Sequence, residues 1–235
     1  MHLRALAVDA ILILGLVASA RASNLVINGD FDNLGNVWVN NTGLGSDDWQ
    51  TGGATGIPGW ENVPGFANEF WFLGSSNGYS LTQSPDNGSA YAVDLTGQAN
   101  NKPYGGIEQV IATTPGVTYD LTFDLGASTE WDGPGLGAAA LTASATGGVL
   151  DASQLFTLAP TTINQWQSET LVFTADSSST TIEFLGDSTY SSAYAGLDNV
   201  SVTSASTSPA PEPVSLLLFG SGLAGLAALR LRQRS

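Results

Sequence analysis

The chain has 235 residues, with 21 acidic against 6 basic side chains and a formal net charge of −15. Between residues 23 and 208 the imbalance is sharper: Lys102 is the only cation against nineteen Asp and Glu, a net of −18. Such a surface repels phosphate backbones and excludes nucleic acid as a partner, while a 43% hydrophobic and 9% aromatic content argues against a disordered chain.

Residues 1–22 open with His2 and Arg4, continue through an apolar run over 6–17 and end in Ala20-Arg21-Ala22. That order predicts a cleavable secretory signal with its apolar part helical, the mature chain starting at Ser23 or Asn24. An uncleaved N-terminal anchor is the alternative. His2 leaves with this segment, and the chain has no cysteine. No Ser-His-Asp triad, Cys-His dyad or histidine-based zinc site can then be built, and paired carboxylates are the remaining hydrolytic machinery.

From 24 to 203 no window has a capped 3.6-residue period, whereas period-two stretches recur. The clearest is 117–125, where Val117, Tyr119, Leu121, Phe123 and Leu125 alternate with Thr118, Asp120, Thr122 and Asp124. It reads as a half-buried strand with one wet face, preceded by a Pro115-Gly116 turn and partnered by Gln109-Val110-Ile111. Further short strands are expected at 24–28, 69–73, 90–95, 106–112, 138–145, 169–175, 180–185 and 197–203. Together they predict an all-β fold, an antiparallel β-sandwich of one domain over 23–203, with long loop-like regions at 34–56 and 130–137.

Residues 204–210 are a Ser/Thr/Pro linker. Behind it, Pro211-Glu212-Pro213 precedes an uncharged run over 214–229 and then Arg230, Arg232 and Arg234. As a helix the sixteen residues would measure roughly 24 Å, slightly short of a hydrocarbon core of about 30 Å, so the tail is a marginal membrane span with its arginines cytoplasmic. A buried C-terminal core helix is the alternative.

Pro-Glu-Pro, the apolar stretch and the arginine cluster over 211–235 resemble the PEP-CTERM sorting signal of Gram-negative bacteria. The resemblance implies recognition by an exosortase, export to the envelope, cell surface or extracellular matrix, and an exopolysaccharide-producing host. The domain is similar in turn to galactose-binding-like jelly rolls and to the choice-of-anchor C family. Its landmarks are Asn24-Leu25-Val26-Ile27-Asn28-Gly29-Asp30-Phe31-Asp32, Ile57-Pro58-Gly59-Trp60, Val93-Asp94-Leu95-Thr96-Gly97, Gly106-Ile107-Glu108-Gln109, Pro115-Gly116-Val117-Thr118-Tyr119 and Leu197-Asp198-Asn199-Val200-Ser201-Val202. The resemblance implies a jelly-roll sandwich with a structural Ca²⁺ held by Asp32 and Asp198 and by carbonyls near residues 28–30.

Alternation places Asp198 with Val200 and Val202 on the core side of the last strand, where an unpaired charge is costly and a metal ion is the available partner. Capping of backbone amides is the alternative role. Trp60 and Trp166 read as core residues. Trp49 and Trp131 lie in polar loops beside Asp47, Asp48, Glu130 and Asp132, a combination suited to stacking a sugar ring and bonding its hydroxyls; packing over a sandwich end is their alternative role. Glu130 and Asp132 share one loop, unlike glycosidase pairs that face each other across a bond. The expected protein is therefore a non-catalytic exported polysaccharide-associated domain, with a purely structural envelope protein or a carboxylate-dependent glycoside hydrolase as alternatives.

Overall fold

The computed structural model describes residues 23–33, 57–65, 71–74, 81–82, 84–85, 90–96, 104–128, 138–187 and 195–205. The predicted terminal helices, Pro211, Glu212, Pro213, Arg230, Arg232 and Arg234, and the loop residues Asp47, Asp48, Trp49, Glu130, Trp131 and Asp132 lie outside them.

Alternation builds the sandwich strand by strand. In β5 (Thr118–Ala127), Tyr119, Leu121, Phe123 and Leu125 are buried on one face while Thr118, Asp120 and Thr122 are half-exposed on the other. The period of two thus gives each strand one apolar side. Earlier in the chain come β1 (Glu61–Asn62), β2 (Trp71–Gly74), β3 (Tyr91–Asp94) and β4 (Gly106–Ala112). Later come β6 (Ala139–Thr146), β7 (Ala152–Leu158), β8 (Gln165–Thr174), β9 (Ser179–Gly186) and β10 (Gly196–Ser204). Among the described residues they form two five-stranded antiparallel sheets, β1-β4-β9-β6-β7 and β2-β3-β10-β5-β8, packed face to face as a jelly-roll β-sandwich.

The core lies between the sheets. Trp60 lies tilted against Phe31 and Phe184, and Phe184 and Phe123 meet edge to face at 5.0 Å, with Phe156 packed likewise on Phe123 at 5.1 Å. Edge-to-face contact aligns a ring's positive rim with a negative face, so these rings add geometric specificity to their burial. Trp60 is a core residue as expected, its indole N–H donating to the carbonyl of Asn28.

Three expectations are corrected. The Gln109-Val110-Ile111 segment does not pair with β5: β4 pairs with β1 and β9 in the opposite sheet. The turn at 114–117 is an arch between sheets, closed by the amide of Val117 on the carbonyl of Thr114 and by Gly116 at φ 82°. Residues 24–28 form no strand, although the amide of Leu25 still donates to Val202 on β10. Trp166 is half-buried on the outer face of the second sheet, where an ideal Cβ at Gly126 would sit 2.7 Å from its ring. Two glycines, Gly126 and Gly196, make room for that indole.

The sandwich has two distinct ends. At one end lie the last residues of β4, β6, β8 and β10 and the first of β5, β7 and β9. Ala112 pairs with Ser179, Thr146 with Thr181, Thr118 with Thr174, and Ser204 with Tyr119. The chain leaves β10 here, with the amide of Ala205 on the carbonyl of Thr118. The opposite end carries Ala127, paired with Gln165, and the start of β6 at Ala139.

Candidate functional site

Among the described residues, outer-face positions of the second sheet hold three buried carboxylates. Asp124 on β5 and Asp198 on β10 are register partners, and Asp94 on β3 pairs with Gly196. All three are buried, Asp94 and Asp198 completely.

Asp198 reaches this face because β10 has a bulge. Its register shifts between Asp198 and Ser201, with Asn199 at φ 53°. The extra residue resets the alternation, so Leu197, Val200 and Val202 face the core while Asp198 faces outward with Asp124. The expectation that Asp198 shares a face with Val200 and Val202 is therefore overturned. Its burial comes from chain packed over the outer face, including Ser84.

Neutral donors fill the carboxylate oxygens. Asp198 accepts from the amide of Ser84 at 3.0 Å on one oxygen and from the amide of Asn199 at 2.7 Å on the other. Asp124 accepts from the Ser84 hydroxyl at 2.7 Å, the Asn199 side-chain amide at 2.6 Å and the Ser168 hydroxyl at 2.6 Å. Asp94 accepts from the amide and hydroxyl of Thr96 and from the amide of Ala195 at 3.2 Å. No Lys, Arg or His falls among the described residues. Burial therefore pushes Asp94 up to about 6, against the hydrogen bonds that favour its charge. Burial, with Asp124 and Asp32 adding repulsion, pushes Asp198 up to about 7.

Asp32 stands on the opening turn and accepts from the amide of Ala90 at 2.6 Å and that of Tyr91 at 3.2 Å, tying the turn to the start of β3. The turn is built on Asn28, a left-handed residue at φ 53° whose side chain bonds the amide of Asn33 and the carbonyls of Asn33 and Pro58. Gly29 then lies so close to β10 that a Cβ would overlap the carbonyl oxygen of Val200. Between turn and bulge is a polar cavity of about 280 Å³, lined by Asn24, Asn28, Asp30, Asn199 and Ser201.

Asp32 and Asp198 each accept backbone amides, the capping role left open for Asp198. Among the described residues no group of three or more His, Cys, Asp or Glu is placed to hold a metal ion. Sequence reasoning missed Asp94, Asp124 and Ser84. An Asp two residues before a Thr, as in Asp94 and Thr96, was a legible sign of a side chain bonded to its own turn. Nothing local marks Ser84, which meets Asp124 and Asp198 only through the fold.

The sandwich is similar to several solved structures. A CBM4 structure matches at 16% identity and TM-score 0.40, covering 77% of this chain and 99% of that one. TmCBM61, solved with β-1,4-galactotriose, matches at 13% and 0.39, covering 78% and 100%. The K3 cleaved adhesin domain of Lys-gingipain from Porphyromonas gingivalis matches at 14% and 0.42, covering 63% and 92%. No curated protein matches the chain. The family model described as protein of unknown function DUF642 matches residues 24–203, nearly the whole β-sandwich, and the chain belongs to that family.

Proposed function

We propose that this chain is an exported, non-catalytic β-sandwich displayed at the surface or in the extracellular matrix of a Gram-negative bacterium, where it associates with polysaccharide. Pro211-Glu212-Pro213, the apolar run and the arginines would present the precursor to an exosortase, with 214–229 held in the membrane. Trp49 and Trp131 would stack on sugar rings, with Asp47, Asp48, Glu130 and Asp132 bonding hydroxyls.

The observation that carries this reading is the polarity of the sandwich. Ser128 and Ala138, the described residues on either side of Glu130, Trp131 and Asp132 in sequence, lie at the end opposite to the exit of the chain at Ala205. A domain tethered at one end turns its other end outward. The test is retention of residues 23–208 on the host's own exopolysaccharide. Binding by the natural domain and its loss in a Trp49→Ala/Trp131→Ala variant are expected; no retention of either would leave a structural envelope protein.

Calcium fits the same frame. Asp198 is desolvated, is the register partner of Asp124, and has no cationic side chain near it among the described residues. Asp32, Asp198 and carbonyls of the opening turn are the hard oxygen ligands that Ca²⁺ takes. The ion would bind the first turn to the last strand.

A further inference from the structure

The β6–β7 turn carries an apolar pair with no cover. Val149 is 92% exposed and Leu150 62% exposed, next to each other at the tip. Exposed aliphatics scattered singly over a surface are ordinary, whereas here two stand side by side. This pair is held in place: the Asp176 carboxylate accepts the backbone amides of both Val149 and Leu150, and Gly148 packs so tightly on it that a Cβ would collide. Those amides also hold Asp176 below the usual carboxylate range. A carboxylate has thus been spent on presenting two aliphatic side chains to the outside.

The tip lies at the exit end. Asp176 follows Ala175, which exchanges hydrogen bonds with Gly116 and Val117; Thr118 pairs with Thr174 and accepts the amide of Ala205, where β10 runs out. Eight residues, 206–213, separate that point from the apolar run. At roughly 3.5 Å per residue they reach at most about 28 Å. Any bilayer that holds 214–229 therefore lies within reach of this end of the sandwich.

We infer that Val149 and Leu150 form a lipid contact, a rigid apolar tip that dips into the interface of the bilayer holding the tail and fixes the domain upright on it. This inference rests on the membrane-held tail proposed above. Asp151 and Asp176 flank the tip and no cation stands near it among the described residues, so the lipid it meets is a zwitterionic interface, entered by its apolar side chains, rather than an anionic partner. Preorganisation by Asp176 removes the ordering cost that a loose loop would meet on insertion.

The chain has no cysteine, so a single Val149→Cys can carry an environment-sensitive fluorophore. Ile163, half-exposed before β8 at the opposite end, supplies the control as Ile163→Cys. Full-length protein is reconstituted into phosphatidylcholine vesicles and floated, and emission is read with and without brominated lipid. The expected result is a blue shift and quenching at position 149 with neither at 163. Flotation without a change at 149 would overturn the tip contact while leaving the anchored tail intact. Failure to float would overturn the anchored tail and this inference with it. Disulfide-linked dimers of unlabelled Val149→Cys in detergent, with no lipid signal, would make the tip a protein contact instead.

Discussion

Asp124 and Asp198 face each other in register across β5 and β10, two buried carboxylates that share the same donors, Ser84 and Asn199. Like charges so placed repel, and burial strips their water. The fold tolerates them by directing two hydroxyls, two backbone N–H groups and a side-chain amide at the pair. Ser84 is joined in this way to two strands far from it in sequence, so the acids fasten chain across the outer face of the sheet.

Asp94 gives the domain a readable pH dependence. Its carboxyl is raised from 3.8 to about 6, so the folded state holds the proton more tightly than the unfolded chain. The resulting stability is fully present below the unfolded value and is lost as pH climbs through about 6. A tenfold change in proton affinity corresponds to roughly 1.4 kcal/mol. Melting midpoints across pH 4.5–7.5 should fall with pH, and Asp94→Asn, which keeps the shape and never ionises, should flatten that part of the curve. An unchanged slope in the variant would contradict this assignment.

Calcium should raise the melting midpoint of the natural domain. An ion present at a hundred times its dissociation constant adds about 2.7 kcal/mol of stability by mass action. Asp198→Asn should melt at the same temperature with ion and with chelator. Equal midpoints for the natural domain under both conditions would remove the proposed site.

Gly29→Ala should destabilise without removing any polar group. Its new methyl meets the backbone carbonyl of Val200, which cannot step aside as a flexible side chain would. Overpacking of this kind costs about 1–3 kcal/mol, read as a midpoint lowered by several degrees at constant pH. A neutral substitution would mean that the opening turn can lift from β10.

A row of acids crosses the first sheet: Glu61, Glu108 and Glu183 are register partners on β1, β4 and β9. Partial burial raises Glu108, and the charges of Glu183 and then Glu61 raise it further. Glu108→Lys would put a cation between two carboxylates, turning repulsion into attraction worth a few tenths to about 1 kcal/mol. Thermal melts at low salt should show the gain, and it should shrink in high salt.

The sandwich was legible because alternation reports which side of a strand is buried, and the Tyr119 to Leu125 series states it plainly. Alternation does not name the partner strand. The same Pro115-Gly116 turn serves a hairpin or an arch, and the pairing of β4 with β9 is settled by core packing far away in sequence. β7 escaped notice because it is an edge strand whose Ser153, Gln154 and Leu155 are exposed, leaving little apolar pattern. The face of Asp198 was misread because one left-handed residue, Asn199, shifts the period. Of the expected site, only Asp32 and Asp198 fall among the described residues, and their pairing comes from resemblance rather than from any local signal.

Location is the claim on which the rest depends, and it is measured most directly by fractionating cells that express the intact precursor beside a form lacking residues 1–22 and 211–235. The intact chain should appear in the envelope or outside the cell, and the trimmed form should stay within. Equal delivery of the two to the exterior would contradict the proposed export, the membrane-held tail and the orientation of the sandwich built upon it.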